Sequence, residues 1–226
     1  MINNKTVIIS CAGKGSRLGA GLPKAVIDVD GKPLIVRQLE CLDDVEDIRV
    51  VVGYMAQTVI ETVQKYRRDI LFCFNNDYES TGTAASFSKG LVGAKEYAVA
   101  LDGDLLVHPD DLKKFLSTNE ELIGGCVPTT DNPVLMTVNS TEQVTEFSRE
   151  RGSLEWTGLA QIKTSRLIPG NKHVYMMLEG LMPLRVMKIR SKEIDTVNDY
   201  DNAVAWIKND YRDDLGRAEK KFGESK

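Results

Sequence analysis

The chain has 226 residues, with 29 Lys and Arg against 33 Asp and Glu for a formal net charge of −4; 42% of it is hydrophobic and 27% charged. That balance is typical of a folded globular protein and excludes a disordered chain, while the negative charge disfavours nucleic acid and anionic membrane as partners. No stretch nears the roughly 20 apolar residues that cross a bilayer, and Met1–Lys5 lacks a signal-peptide pattern, so a cytoplasmic location is expected.

In chain order, Thr6–Cys11 (TVIISC) reads as a buried strand feeding a glycine-rich loop. Pro33–Leu42 suits a helix, Ile48–Val52 a strand, Ala56–Tyr66 an amphipathic helix using Val59, Ile60 and Val63, and Ile70–Phe74 a strand. Ala84–Val92 reads as helix, Tyr97–Leu101 as strand, Pro109–Leu116 as a helix opened by proline, and Leu122–Val127 as strand. This alternation predicts an α/β fold with a doubly wound, mainly parallel sheet, whose ligands sit beyond the carboxyl ends of the strands.

From Pro133 the character changes. Val134–Val138, Val144–Ser148 and Trp156–Ile162 are short strands between polar turns, so 132–165 reads as a small antiparallel β flap or acceptor-side insertion. A helix over Lys172–Gly180, a strand over Arg185–Ile189 and a helix over Asp199–Tyr211 presenting Val204, Ile207 and Tyr211 follow, then a charged tail over 212–226 expected to fray. No linker divides the chain, and a single domain over 1–226 is expected. Cys11, Cys41, Cys73 and Cys126 form no C-x-x-C pair and read as free thiols.

The average charge hides an asymmetry. The first 24 residues hold Lys5, Lys14, Arg17 and Lys24 and no acid, so residues 25–226 sum to −8. Within that segment Ala12-Gly13-Lys14-Gly15-Ser16-Arg17-Leu18 follows the first strand, and Pro23-Lys24 comes soon after. The glycines let backbone N–H groups approach a phosphate, and Lys14, Arg17 and Lys24 can neutralise phosphate oxygens. A dinucleotide loop is disfavoured because Leu18 stands at the third glycine and IRVVV runs into Gly53-Tyr54 without an acid; a P-loop is absent.

These residues resemble the signature of the GT-A-like nucleotidyltransferases, which join an NTP to a sugar 1-phosphate or to phosphocholine: G-x-G-x-R-(L/M), then P-K. The resemblance extends through Val26–Ile35, where that family has a short hairpin followed by KPL. It implies a Rossmann-like fold, with Arg17 and Lys24 as catalytic groups on the triphosphate and the loop from Ala12 through Ser16 binding nucleotide.

Asp102-Gly103-Asp104 ends a strand and offers two carboxylates, the hard oxygen ligands Mg²⁺ prefers. The resemblance makes Asp104 the metal ligand, with Asp102 supporting the nucleotide, and matches the second ligand to Asp195 in EIDTVNDY. It also assigns base contact to Gly82 and Thr83, and likens Asn75-Asn76-Asp77-Tyr78 to the NPDY run of phosphocholine-type cytidylyltransferases, with Asn76 in place of the proline. Glu155, Trp156, Lys163, Glu179 and Lys188 lie in segments that would face an acceptor.

The expected activity is Mg²⁺-dependent transfer of an NMP group, CMP from CTP, to a small phosphorylated acceptor with release of pyrophosphate. A glycosyltransferase reading Asp102-Gly103-Asp104 as D-x-D and a catalytically inactive nucleotide-binding homologue are the alternatives, with an NAD-dependent enzyme behind them. A homo-oligomer is neither required nor forbidden.

Overall fold

The structure is a computed structural model that describes residues 1–15, 18–19, 21–130 and 132–211, with backbone alone at 210 and 211. Ser16, Arg17 and the 212–226 tail therefore lie outside the described residues, as does the side chain of Tyr211.

The strands are β1 (Ile2–Cys11), β2 (Val45–Val52), β3 (Leu71–Phe74), β4 (Tyr97–Asp102), β5 (Leu105–Val107), β6 (Leu122–Cys126), β7 (Leu135–Val138), β8 (Gln143–Ser148), β9 (Leu154–Lys163), β10 (Leu184–Lys188) and β11 (Ser191–Glu193). The helices are α1 (Leu34–Glu40), α2 (Ala56–Tyr66), α3 (Thr83–Gly90), α4 (Pro109–Ser117), α5 (Val174–Leu178) and α6 (Val197–Trp206). Nine strands form one sheet in the order β3-β2-β1-β4-β9-β6-β10-β8-β7, and β11 pairs with β5 in a separate two-stranded sheet.

β1 explains the layering. Val7, Ile8 and Ile9 are all fully buried, so both faces of the strand are covered, as its unbroken apolar run requires. Val7 and Ile9 face a core shared with Ile35 and Leu39 of α1, Val59 and Val63 of α2 and Phe115 of α4. Ile8 faces the other way, onto Phe87 of α3 and Val174 and Leu178 of α5. A third cluster joins Ala203 and Ile207 at the end of α6 to Val29, Leu34, Leu106 and Ile194. Among the described residues no helix is long and apolar enough to cross a membrane.

The α/β architecture agrees with the alternation in the sequence, but the sheet is mixed rather than mainly parallel. β2, β1 and β4 run parallel, and so do β6 and β10. Between these parallel groups sits β9, antiparallel to both β4 and β6 and hydrogen-bonded along both edges. The three strands of 135–163 are thus continuous with the main sheet. β5 and β11, three residues each, are absent from the sequence reading because strands this short carry no period. α6 starts earlier than Asp199: Thr196 caps it, and Thr196 and Asp199 form a reciprocal capping box.

Several ties fix the loops at the carboxyl ends of β1 and β4. Gly103 N–H donates to Ser10 O at 3.0 Å, and a Cβ there would lie 2.7 Å from Cys11 Sγ, so only glycine fits beneath β1. From α1, Gln38 Nε2 donates to Asp102 O (2.8 Å) and Leu105 O (2.7 Å), gripping both sides of the same turn. Arg37 does the same for the preceding hairpin, donating to Val29 O and Asp30 O.

Gln38→Leu keeps the volume but strands two buried carbonyls. It is expected to lower stability by about 1–3 kcal/mol, read as a shift of the urea midpoint without a change in slope; an unchanged midpoint would show that the turn holds itself.

Candidate active site

A cleft of about 630 Å³ opens at the carboxyl ends of β1 and β4. Gly13, Gly15, Lys24 and Asp102–Leu105 line it, together with Thr129, Thr130, Arg149, Trp156, His173 and Tyr175. Its place beyond the strand ends is the one the α/β topology dictates.

At the centre three carboxylates converge: one oxygen from each of Asp104, Glu193 and Asp195 lies within 4.8 Å of the others. The β5–β11 pair makes this possible. Glu193 is in register with Leu105, and Ile194 N–H donates to Asp104 O at 3.0 Å, so the two acid-bearing segments run side by side. Alternation along β11 turns Glu193 and Asp195 to the same side while Ile194 points into the core. The positive charge that such a group needs comes from Lys24, whose Nζ lies 2.8 Å from Asp104 Oδ2 and also hydrogen-bonds and ion-pairs with Asp195. The Lys24 side chain is only 12% exposed, so these bonds are poorly screened by water.

Gly15 is what lets Lys24 lie there. It has φ +60°, and a Cβ at that position would meet Lys24 Cγ at 2.6 Å. Asp102 stands apart from the convergent group. It is covered by Gly158, where φ is +81° and a Cβ would come within 2.4 Å of Asp102 Oδ2. Burial, with the charges of Asp104 and Glu193 behind it, pushes the Asp102 carboxyl well above the usual carboxylate range.

The other expected nucleotide contacts are distributed unevenly. Gly13 borders the cleft, whereas Ala12 is buried and its carbonyl accepts from Tyr54 N–H at 3.0 Å. Lys14 is exposed and ion-paired with Glu79, which raises its pKa. Thr83 borders the cleft, but its neighbour Gly82 is committed to packing: its N–H donates to Asn171 O at 2.9 Å, and a Cβ would overlap Lys172 O. Buried Asn75 organises the loop between, donating to Thr81 Oγ1 and Ser86 Oγ.

Of the residues expected to face an acceptor, Glu155 and Trp156 border the cleft. Glu155 is 4% exposed, and its carboxylate accepts from Thr129 N–H (2.7 Å), Thr130 N–H (3.3 Å) and the Thr130 hydroxyl, so it holds the 129–130 loop. Lys163, Glu179 and Lys188 do not border it. Lys163 pairs with Tyr97 at the amino end of β4, the opposite edge of the sheet, and all three side chains are exposed elsewhere. The cleft lining thus includes two of the five residues expected to face an acceptor. The sequence reading missed Glu193, whose i, i+2 spacing from Asp195 in a strand is a usable signal, and it missed Arg149, His173 and Tyr175, which no local pattern marks.

The carboxylate group fits a divalent cation. It supplies oxygen donors only, the chemistry hard cations select, and a single lysine ammonium offsets only part of the charge of three carboxylates.

A family model described as "MobA-like NTP transferase domain" matches residues 7–164. Among curated relatives, the bifunctional protein GlmU of Nitratiruptor sp. is 27% identical over 122 residues, 52% of this chain and 28% of that protein. GlmU of Methanocaldococcus jannaschii is 33% identical over 113 residues, 48% of this chain and 27% of that protein. The aligned stretch thus spans about a quarter of the length of these relatives. Among solved structures, the CTP:phosphocholine cytidylyltransferase of Streptococcus pneumoniae superposes with a TM-score of 0.72 at 20% identity, covering 90% of this chain and 99% of that one. The inositol-1-phosphate CTP transferase of T. maritima gives 0.75 at 20% identity, covering 93% and 98%. These likenesses show that the fold is shared.

Lys24→Met removes the cation and leaves the carboxylates facing one another. The variant is expected to gain more melting temperature from added Mg²⁺ than the unmodified protein does, because the ion no longer competes with an ammonium; equal shifts in a thermal-denaturation series would contradict the assignment.

Proposed function

The chain belongs to the MobA-like NTP transferase domain family, and on that premise we propose that it transfers CMP from CTP to a small phosphomonoester and releases pyrophosphate. The observation that carries this reading is Lys24 held between Asp104 and Asp195 beside the Gly15 turn. A cation and oxygen ligands for a second cation meet where the glycine loop ends, which suits a substrate with several adjacent phosphates.

The acceptor's phosphate oxygen attacks the α-phosphorus in line; the new P–O bond forms as the α–β bridging P–O bond breaks, and pyrophosphate departs with the electron pair. A phosphate monoester is already anionic near neutral pH, so no protein nucleophile or general base is needed. Catalysis reduces to positioning and charge stabilisation. Lys24 exchanges a carboxylate for an α-phosphate oxygen, and Lys14, released from Glu79, reaches the β- and γ-phosphates together with Arg17. Asp104 and Asp195, with Glu193, would hold Mg²⁺, which supplies neutralisation of phosphate charge when bound. Gly13, Gly15 and Ser16 offer backbone N–H groups to the triphosphate, and Thr83 faces the base.

CTP is favoured by the likeness of Asn75–Tyr78 and of EIDTVNDY to cytidylyltransferase segments, and two of the structural relatives are described as CTP-using enzymes. We further propose that residues 1–226 act as one domain, with 132–165 forming the acceptor side. The basic loop before Pro23-Lys24 suits an incoming triphosphate and weighs against the D-x-D glycosyltransferase alternative, and Asp102 stands outside the three convergent carboxylates.

Pyrophosphate release, measured for CTP, UTP, dTTP and GTP against a panel of phosphorylated sugars and amino alcohols, is expected to be highest with CTP. Lys24→Ala should lower kcat by roughly 10²–10³-fold, the scale seen when a preorganised charge-stabilising group is lost, with folding intact by circular dichroism. Near-normal turnover of that variant would overturn the mechanism.

A further inference from the structure

The far side of the cleft points to the chemistry of the acceptor, an inference that rests on the transfer reading above. In the sheet order β9 and β6 lie on the opposite side of β4 from β1, so residues at the cleft end of β9 and on its neighbours sit across Asp104 from the triphosphate loop. Trp156 of β9 stands there, with Phe147, Tyr175 and Arg149 packed in sequence beyond it, and the Tyr175 segment also reaches Thr83 through the Val174 N–H at 3.3 Å.

Two rings in this wall invite comparison with a cage for a quaternary ammonium, which needs open aromatic faces and a nearby free acid. Tyr175 and Glu155 do not meet these requirements. Tyr175 stacks on His173 with ring centroids 5.7 Å apart and planes at 10°, meets Phe147 edge-on at 5.6 Å, and has the Arg149 guanidinium carbon 5.9 Å from its centroid. Trp156 is likewise engaged with Phe147 at 5.7 Å. The acid on this side, Glu155, already accepts three hydrogen bonds and is buried.

Arg149 has the opposite property. Its guanidinium is exposed, donates through Nη1 to Asn132 O at 2.6 Å, and among the described residues forms no ion pair. The carbonyl bond and the Tyr175 ring each engage one part of the planar fork of this cleft-lining residue, and the other donors make no hydrogen bond to the described residues. A guanidinium with no carboxylate partner among the described residues is suited to bidentate recognition of an anion.

We propose that the acceptor carries, besides the phosphate that attacks, a second anionic group, a carboxylate, and that Arg149 is the specificity-determining residue that receives it. A trimethylammonium acceptor would bring a cation onto this guanidinium and is selected against.

The test compares matched acceptors with CTP and Mg²⁺: glucuronic acid 1-phosphate against glucose 1-phosphate, and O-phosphoserine against phosphoethanolamine and phosphocholine. The carboxylate-bearing member of each set is expected to have at least a tenfold higher kcat/KM. Arg149→Met is expected to erase that preference by raising KM for the carboxylate acceptor roughly tenfold or more, the worth of one charged hydrogen bond, with KM for CTP within about twofold. Arg149→Lys should restore part of it. Preference for phosphocholine, or an Arg149→Met effect equal on both members of a pair, would overturn the proposal. Calorimetric titration of the same pairs needs no turnover and keeps the two readings apart. Carboxylate selectivity lost in Arg149→Met without any pyrophosphate release would uphold Arg149 and overturn the transfer; pyrophosphate release without such selectivity would do the reverse.

Discussion

Asp104, Glu193 and Asp195 converge within 4.8 Å of one another, and the repulsion among them is relieved in this fold by the ammonium of Lys24, which bonds Asp104 and Asp195. Much of the local structure serves this contact. Gly15 lacks the Cβ that would displace the lysine stem, Gly103 lets the Asp102–Asp104 turn lie against β1, and Gln38 grips that turn from behind. The short β5–β11 ladder brings in the second acidic segment, and the Thr196–Asp199 capping box anchors α6 directly after Asp195. A lysine bound to would-be metal ligands is a contact that substrate must exchange, which links ground-state structure to the proposed chemistry.

The cleft is divided by the sheet itself. β1 and its glycine loop supply small residues and cations on one side of β4; β9, inserted antiparallel, supplies Glu155 and Trp156 on the other. The charge excess of the first 24 residues sorts differently once folded. Lys5 is 1% exposed, donates to Thr118 O and lies 4.9 Å from the Tyr97 ring centroid, and burial holds its pKa below the usual lysine value. It is a structural cation at the far end of β1. Of the same segment, Lys24 borders the cleft and Lys14 is exposed, and both are paired with acids.

Where chemistry is written in consecutive residues, the sequence was informative: strand, glycine loop, Pro23-Lys24, the Asp102-Gly103-Asp104 turn and EIDT are local patterns, and their strand-end positions follow from α/β alternation. Where the site depends on long-range pairing, it was not. β9 joins β4 to β6 through contacts some 60 and 30 positions away in the chain, roughly, and no period in 154–163 announces which strands it will meet. That pairing decides that Glu155 and Trp156 reach the cleft while Lys163, at the other end of the same strand, does not. Arg149, His173 and Tyr175 come from separate segments brought together only by the fold. Glu155 also illustrates how a buried acid in a promising segment can be spent on its own neighbours.

Transfer by this route requires Lys24 to give up its carboxylates to nucleotide. A crystal structure of the protein with CTP and Mn²⁺, the metal located by its anomalous signal, tests this directly. The ion is expected between Asp104 and Asp195, with Lys24 Nζ moved onto an α-phosphate oxygen and Gly13 and Gly15 against the phosphates. Nucleotide bound with Lys24 still bridging Asp104 and Asp195, and the metal elsewhere, would contradict it.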